Sequence, residues 1–347
     1  DGLQQYRPVG AFSFLGRYRI IDFPISNMSN SGIDNIQVYV RRKPRSLTEH
    51  LGTGRHYNIN SKRGNLSIMY AEDGQVGNIY STDIAAYIEN MDCIERMSQP
   101  YVVIAPSYMI YTADYSEFID AHIESGADIS MMYHSVDNAK EAFLSCDTLN
   151  INKQKGVLSI EPNRGNAKNR NISMDTYVMT KELFIDLVNK AHKTSSMYTL
   201  ADIIDEECED LDIRAVGHRG YFAAITDFKS YYDANMALIN LKNAMNLFDD
   251  EWPIYTRTND SCPTQYFEDS KVISSVVSNG CLIDGTVENS IIGRGCIIKP
   301  GAIVKNCVVS ADVVIGKGVH VENMMVDKHA KLIRGKRIIA SPEKPGY

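Results

Sequence analysis

The chain has 347 residues, of which 44% are apolar and 23% are charged, and its formal net charge is −7. This length suits two domains with separate hydrophobic cores, and the acidic balance argues against a general binder of nucleic acid or of membrane surfaces. No apolar run approaches the roughly 20 residues of a membrane span. The seven cysteines are scattered without a Cys-x-x-Cys pair, which favours structural thiols in a reducing cytoplasm over zinc or disulfide bonds.

Residues 16–40 predict a helix that leads directly into a strand. Pro24 opens a segment in which Ile25 and Met28 recur at helical spacing, and Gly32 is the predicted stop. The following residues, 33–40, alternate between apolar and polar side chains, as a half-buried strand does. A helix followed at once by a strand is half of a β-α-β unit, so the chain is expected to begin partway through an α/β sheet.

Four cations follow this strand within five residues, namely Arg41, Arg42, Lys43 and Arg45. Clustered guanidinium and ammonium groups near a strand end can hold a phosphorylated ligand. The same run is also typical of a solvated basic turn. Taken by itself, the pattern favours the solvated turn.

Helices and strands alternate up to residue 245. Helices are predicted over 83–97, 114–125, 180–190, 199–206 and 227–245, and strands over 101–105, 128–134, 147–160 (a hairpin) and 213–217. Asp83 is the predicted cap of the first of these helices, and Gly126 the predicted stop of the second. The near-continuous apolar run at 101–105 is typical of a central parallel strand.

Short aliphatic residues and glycines dominate the chain from Val272 onward. Aliphatic residues fall six apart at Ile291, Ile297, Ile303, Val309, Ile315 and Val321, with Val277 and Ile283 at the same spacing upstream. This period is typical of a left-handed parallel β-helix, whose triangular coils place one aliphatic residue on each side. Strands joined by hairpins would give a period of two instead.

Three parts of the chain together resemble one known family. Residues 16–23, which read Gly-Arg-Tyr-Arg-Ile-Ile-Asp-Phe, the Trp-Pro-Ile at 252–254 and the six-residue repeats are similar to bacterial glucose-1-phosphate adenylyltransferases, the ADP-glucose pyrophosphorylases of glycogen synthesis. The resemblance implies a Rossmann-like nucleotidyltransferase domain with a mostly parallel mixed sheet at 1–250. A linker at 251–270 and a left-handed β-helix of hexapeptide repeats at 271–347 would follow. The Gly-rich phosphate loop of catalytic relatives is expected to lie before the residues of this chain.

The resemblance places no acid at the two positions where catalytic relatives hold magnesium. Their strand matching 101–105 ends in a Gly-Asp-His turn, and Ser107 falls where that aspartate would be. Ala224 similarly falls at the second aspartate, in the segment Tyr-Phe-Ala-Ala-Ile-Thr at 221–226. Because Mg²⁺ prefers carboxylate and phosphate oxygens, the resemblance implies that this chain holds no metal and requires no cofactor.

Other substrate-binding positions of the family are only partly kept. Tyr80 matches a tyrosine of the family's Tyr-Arg-Gly-Thr-Ala-Asp loop, but Thr82 stands where glycine would be. Glu161 remains without the lysine that follows it in relatives. Ser173 remains too, and Asp175 replaces a glycine that lets a sugar approach the backbone.

The resemblance also strengthens the ligand interpretation of the basic turn. Family members commonly bind anionic sugar-phosphate effectors near the domain junction. Arg17 together with Arg41, Arg42, Lys43 and Arg45 is therefore a candidate effector site.

The pattern of losses most resembles the non-catalytic GlgD-type subunit of Gram-positive bacteria. Such a subunit would raise the activity of a catalytic GlgC-type partner within a cytoplasmic hetero-oligomer, expected to be a tetramer. The partner would require Mg²⁺, and the pair would make ADP-glucose and pyrophosphate from ATP and glucose 1-phosphate. No partnership with nucleic acid or membranes is expected.

Two alternatives stay open at this point. One is an active sugar-phosphate nucleotidyltransferase with relocated metal ligands such as Asp114, Asp175 or Asp227. The other is a hexapeptide-repeat acyltransferase, for which the coils offer His320 and His329 as candidate catalytic histidines. The acyltransferase alternative leaves the long α/β part of the chain unexplained.

Overall fold

The computed structural model describes residue 4 and residues 7–60, 62–70, 82–333 and 337–347. The chain forms two compact units. One unit consists of Asp1–Phe23 together with Asp227–Tyr347, and the other consists of Pro24–Thr226. Within the described ranges, no helix has both the length and the apolar character needed to cross a membrane. The seven cysteines are all free thiols.

The first elements of the chain are two short strands and a helix. Strand β1 (Ser13–Phe14) pairs antiparallel with β2 (Tyr18–Arg19), and helix α1 follows over Asp22–Asn30. The helix therefore starts two residues before Pro24, the predicted first residue. Gly32 lies just beyond its end with a φ of +74°, as a helix stop does.

The unit formed by residues 24–226 contains helices on a mixed sheet. The helices are α2 (Arg45–Leu51), α3 (Asp83–Glu89), α4 (Met91–Glu95), α5 (Tyr115–Ser125), α6 (Lys181–Thr194) and α7 (Leu200–Glu206). The strands are β3 (Ile36–Val40), β4 (Leu66–Tyr70), β5 (Tyr101–Ile104), β6 (Met109–Ile110), β7 (Ile129–Val136), β8 (Asp147–Ile151), β9 (Val157–Pro162), β10 (Arg170–Thr180), β11 (Ile213–Gly217) and β12 (Ala223–Ala224). Short 3-10 helices span Val9–Ala11, Arg55–Tyr57 and Glu207–Glu209.

The largest sheet has the strand order β11-β7-β10-β8-β9. β11 runs parallel to β7, whereas β10 runs antiparallel to β5, β7 and β8. β3 and β4 form a parallel pair, and β6 and β12 form an antiparallel pair. The α/β fold class with a mixed sheet is thus confirmed. The prediction that this sheet is mostly parallel is wrong, because four of its five described pairings are antiparallel. The run at 101–105, predicted as a central parallel strand, is the antiparallel partner of β10.

Alternation along the strands builds a core on each face of the large sheet. Met131 and Met132 are neighbours on β7, yet they belong to different hydrophobic clusters. Met131 packs with residues of α3, α6 and α7, and Met132 packs with residues of α5. Because side chains of successive strand residues point to opposite faces, helices cover both faces, as in other α/β domains.

The helix predicted over 83–97 is two short helices, α3 and α4, which meet at Asn90. Its cap is Thr82 rather than the predicted Asp83, since the Thr82 hydroxyl accepts a backbone N–H at 3.4 Å. The Asp83 carboxylate instead accepts the backbone N–H of Leu200 at 3.3 Å, at the start of α7. The prediction of the cap was thus wrong by one residue.

The unit containing the C-terminal residues has two helices, α8 (Phe228–Ala237) and α9 (Leu241–Met245), where one was predicted. They precede three parallel sheets, which wind as a β-helix. The strands are β13 (Gln265–Tyr266), β14 (Lys271–Ile273), β15 (Val276–Val277), β16 (Leu282–Ile283), β17 (Thr286–Glu288), β18 (Ile291–Ile292), β19 (Ile297–Ile298), β20 (Ile303–Lys305), β21 (Val308–Val309), β22 (Val314–Ile315), β23 (His320–Glu322), β24 (Met325–Val326), β25 (Lys331–Leu332) and β26 (Arg337–Ile339). The predicted hexapeptide-repeat β-helix is confirmed.

The strict six-residue spacing is not kept in this β-helix. From β17 onward, successive coils are offset by 17 residues, one fewer than three sides of six residues would give. Val304 is fully buried, whereas its neighbour Ile303, which the six-residue pattern predicted to point inward, is 38% exposed. One side of each coil is therefore shortened.

Three asparagines occupy the shortened corner in successive coils. The Asn289 side-chain amide donates to Asn306 Oδ1 at 2.8 Å, and the Asn306 amide donates to Asn323 Oδ1 at 3.1 Å. The Asn323 amide in turn donates to the carbonyl of Ala340 at 2.8 Å. All three asparagines have positive φ, between 43° and 54°, a conformation that asparagine tolerates better than most residues. The ladder thus provides hydrogen-bond partners for the asparagine amides, while the positive φ of each asparagine allows the tight corner.

Gly16 lies against the β-helix within this unit. Its φ is +68°, and a Cβ atom there would come 2.7 Å from Ser278 Oγ and 2.9 Å from the carbonyl oxygen of Ile292. Close by in sequence, the Tyr18 ring stacks on Phe248 with a centroid distance of 5.4 Å. Conformation and contact therefore both require glycine at the start of the Gly-Arg-Tyr-Arg segment.

Candidate functional site

One of the two positions that the sequence matches to metal carboxylates lies in the pairing of β6 with β12, and the other lies just before β6. Ala224 pairs with Met109, which lies two residues after Ser107. The backbone N–H of Ile225 donates to the carbonyl of Tyr108 at 2.8 Å, which extends the same ladder. Ala224 thus lies within this short strand pair, and Ser107 lies two residues before the strand that pairs with it.

Neither of these side chains suits a magnesium ion. Ser107 is exposed and offers a neutral hydroxyl, while Ala224 is 6% exposed and packs in a cluster with Met109, Met132 and Met174. Mg²⁺ requires oxygen ligands, usually with one or two carboxylates among them. The residues at these two positions therefore do not fit the ion. In the part of the chain that the structure describes, no three His, Cys, Asp or Glu side chains gather as a metal site.

Asp175 is held by neighbouring side chains of the cleft. The Tyr108 hydroxyl donates a hydrogen bond to Asp175 Oδ2, and the Ser173 hydroxyl donates to Oδ1 at 3.2 Å. Burial raises the pKa of Asp175 to about 6, and the nearby Asp147 carboxylate also raises it, whereas the bonds from Tyr108 and Ser173 lower it. Asp175 has a φ of +45°, a backbone conformation that glycine adopts without strain. This conformation is a second reason, besides the close approach of a sugar, for a glycine at this position in relatives.

We expect Asp175→Asn to stabilise the fold at pH 7.5 by about 2 kcal/mol. The pKa of Asp175 rises from 3.8 to about 6 on folding, so stability is lost as the pH rises through 6 and the carboxyl ionises. Asparagine keeps the acceptor for Tyr108, tolerates the positive φ and carries no charge. Urea titrations of both proteins between pH 4 and pH 8 would measure the difference, which should vanish near pH 4.

The matched control is Asp186→Asn, which removes a carboxylate from the exposed face of α6. It should leave the free energy of unfolding within about 0.5 kcal/mol of the original value. A loss of stability in Asp175→Asn at pH 7.5 would contradict the prediction, because the charged bond to Tyr108 would then outweigh the cost of burial.

Two further carboxylates considered as relocated metal ligands cap helices. Asp114 Oδ1 accepts the backbone N–H of Ser116 at 2.8 Å at the start of α5. Asp227 Oδ1 accepts the backbone N–H of Ser230 at 2.6 Å, in a capping box at the start of α8. Each carboxylate satisfies a helix N–H that would otherwise lack a partner.

The remaining residues that were predicted to line the substrate cleft have separate roles in the structure. Thr82 caps α3, Ser173 is buried beside Asp175, and the Glu161 side chain is exposed on β9. Tyr80 lies outside the described residues. Of the predicted cleft positions, the structure thus joins Ser173 and Asp175 by a hydrogen bond.

The residues of the predicted effector site belong to both units. Arg41, Arg42, Lys43 and Arg45 are exposed, and Arg45 pairs with Glu49 at 3.1 Å on the surface of α2. Arg17 belongs to the other unit, where its guanidinium lies 5.6 Å from the centre of the Tyr18 ring. The effector site stays a prediction.

Sequence reasoning missed a cavity of about 740 Å³ at the end of β7 and the start of β10. Its lining includes His134, Asp137, Asn138, Phe143, Arg170 and Phe222. These residues come from segments far apart in the chain, and they form no motif. The sequence therefore contains no local signal that could have revealed the cavity.

Comparison with known proteins relates both parts of the chain to described families. Residues 3–241 match the family model described as "Nucleotidyl transferase", and residues 263–344 match the one described as "GlmU-like, C-terminal hexapeptide". The chain is 30% identical to the glucose-1-phosphate adenylyltransferase of Fervidobacterium nodosum, over 95% of this chain and 80% of that protein. It is also 30% identical to the proteins of the same name from Clostridium perfringens, over 86% of this chain and 77% of that protein, and from Bacillus anthracis, over 96% and 89%.

Proposed function

The chain belongs to the glucose-1-phosphate adenylyltransferase family, and we propose that it acts there as a GlgD-type subunit that raises the activity of a catalytic partner. The observation that carries this proposal is the absence of a carboxylate at Ser107, just before β6, and at Ala224, on the strand that pairs with β6. Transfer of a nucleotidyl group between phosphates needs a divalent cation to offset their charge. A chain without ligands for that ion keeps the fold and its surfaces but loses the chemistry.

The hydrogen bonds of the other carboxylates support the same proposal. Asp114 and Asp227 each cap a helix, and Asp175 accepts bonds from Tyr108 and Ser173. Each of these carboxylates already accepts hydrogen bonds within the fold, so fewer of its lone pairs are left for a metal ion. We therefore rank that alternative second.

The acyltransferase alternative has little support from the two histidines of the coils. His320 Nε2 lies 3.3 Å from the carboxylate of Glu322, its neighbour on the same strand. His329 is exposed and lies 3.6 Å from the carboxylate of Asp312. The contact of His329 is of the kind that surface histidines make with nearby acids, which contributes little to stability. His320 is half-buried, and its Nε2 has no hydrogen-bond partner among the described residues.

We propose that the partner is a GlgC-type subunit, that the complex is a cytoplasmic hetero-tetramer, and that the partner supplies the Mg²⁺ site. In this proposal ATP and glucose 1-phosphate react at the partner's cleft to give ADP-glucose and pyrophosphate. A sugar-phosphate effector at Arg17 and the basic turn, residues 41–45, is part of the same proposal.

The test is pyrophosphate release from ATP and glucose 1-phosphate in the presence of Mg²⁺. The assay is run on this chain alone, on the catalytic partner alone and on their mixture. We expect no release from this chain alone and a several-fold higher rate from the mixture than from the partner alone. Co-elution of the two chains on size exclusion would show that the effect comes from a complex.

Asp227→Asn and Asp114→Asn serve as matched variants, because both residues are helix caps. Asparagine caps helices about as well as aspartate, so neither variant should change the rate of the mixture. Robust release by this chain alone that Asp227→Asn abolishes and Asp114→Asn spares would overturn the proposal. It would place the metal at Asp227.

A further inference from the structure

One wall of the cavity at the end of β7 is a column of three aromatic rings. The rings of Phe143 and Phe222 are parallel to within 8° and their centroids lie 5.4 Å apart. The His134 ring continues the column, 5.1 Å from Phe222. This wall gives the cavity a fixed apolar side against which a small molecule can pack.

Arg170 supplies a donor that no described residue satisfies. Its Nε is buried and has no hydrogen-bond partner, and no carboxylate of the described residues forms a salt bridge with its guanidinium. A buried N–H without an acceptor is costly, and native proteins usually satisfy it. The Nε–Nη edge of a guanidinium matches two oxygens of a carboxylate or phosphate. Because Arg170 also lines the cavity, its guanidinium is suited to an oxyanion there.

The hydrogen bonds of His134 and His218 determine whether Nε2 of His134 donates or accepts a hydrogen bond. His218 Nε2 lies 3.0 Å from the carbonyl oxygen of Thr112, so Nε2 carries a hydrogen. Burial lowers the pKa of His218 to about 4, so at neutral pH its Nδ1 accepts. The hydrogen bond of 3.1 Å between the two Nδ1 atoms must then be donated by His134. Burial also lowers the pKa of His134, which leaves its Nε2 as an acceptor.

We propose that this cavity binds a small hydroxylated organic anion, whose phosphate or carboxylate lies on Arg170 and whose hydroxyl donates to His134 Nε2. The lining also offers the amide of Asn138 and the carboxylate of Asp137 for further hydroxyl groups. The cavity lining includes neither Glu161 nor Asp175, the positions that the family resemblance assigns to the sugar substrate.

The test is isothermal titration calorimetry of the full chain with glucose 6-phosphate, gluconate and glucose. These probes share a hydroxylated six-carbon frame and differ in carrying a phosphate, a carboxylate or no charge. We expect binding of one or both anions and at least about tenfold weaker binding of glucose. The stronger of the two anions identifies which oxyanion the site prefers.

Variants of Arg170 decide whether the anion lies in this cavity. Arg170→Gln should weaken anion binding at least about tenfold. Arg170→Lys keeps the charge but lacks the Nε–Nη edge, so it should lose most of the same affinity. Arg96→Gln removes an equal charge from the exposed residue that pairs with Asp92, and it should bind as the unaltered chain does.

Circular dichroism of each variant would establish that it is folded before the affinities are compared. The proposal is overturned if neither anion binds at millimolar concentration, if glucose binds as tightly as the anions, or if folded Arg170 variants bind them unchanged. None of these readouts uses turnover or the catalytic partner, so they stand apart from the test of the regulatory role.

Discussion

Replacement of Gly16 by alanine is expected to lower the free energy of unfolding by about 3 kcal/mol. An L-residue at a φ of +68° is strained, which costs about 1–2 kcal/mol. The added methyl would also stand 2.9 Å from the carbonyl oxygen of Ile292 and 2.7 Å from Ser278 Oγ, so the segment must move away from the coils. Urea unfolding followed by circular dichroism would measure the loss.

Gly318→Ala is the matched control for this prediction. Gly318 has a nearly identical φ of +67°, lies in the same unit, and would place its new methyl in open space. The free energy of unfolding of Gly318→Ala should therefore fall only by the cost of the positive φ, about 1 kcal/mol. Equal losses in the two variants would mean that residues near Gly16 do not pack on the β-helix as described.

Ala224→Asp is expected to destabilise the chain by about 3 kcal/mol at neutral pH. Ala224 is 6% exposed and belongs to a hydrophobic cluster with Met109, Met132 and Met174. A carboxylate buried in this cluster is desolvated, so its pKa will rise and the penalty will shrink as the pH falls. Thermal unfolding at pH 7.5 and pH 5 would measure both effects.

Ser107→Asp is the control for Ala224→Asp, because it adds the same carboxylate at an exposed position. It should change stability by no more than about 0.5 kcal/mol. We expect Mg²⁺ to leave the melting temperature of the double variant unchanged, since residue 224 lies in a hydrophobic cluster. A clear rise with Mg²⁺ would contradict this expectation and would show that the two substitutions are enough to restore a metal site.

The hexapeptide type of the β-helix was predictable from the sequence, but the shortened side of the coils, and with it the register, was not. Six-residue spacing pointed to Ile303 as an inward residue, whereas Val304 beside it is the buried one. Both are aliphatic, so composition does not separate them. The side of each coil is shortened by asparagines such as Asn306, whose amide ladder depends on contacts between coils.

The candidate site could be predicted only from family motifs, and its match to Ser107 and Ala224 stays a prediction. The pairing of β6 with β12 sets Ala224 opposite Met109, a contact that no local pattern in the sequence indicates. The hydrogen bond from Tyr108 to Asp175 joins residues 67 apart, and the one between His134 and His218 joins residues 84 apart. Such pairs leave no periodic trace, because they arise only when the sheet is assembled.

The asparagine ladder also limits how the length of the C-terminal region can change during evolution. In the coils that carry the ladder, each asparagine must stack directly on the asparagine of the preceding coil, 17 residues earlier in the chain. A gain or loss of a few residues within a coil would carry every later asparagine out of line and turn its aliphatic neighbours toward water. Tolerated changes in length should therefore come in whole coils, or be confined to loops that bulge from a corner and return to the same point.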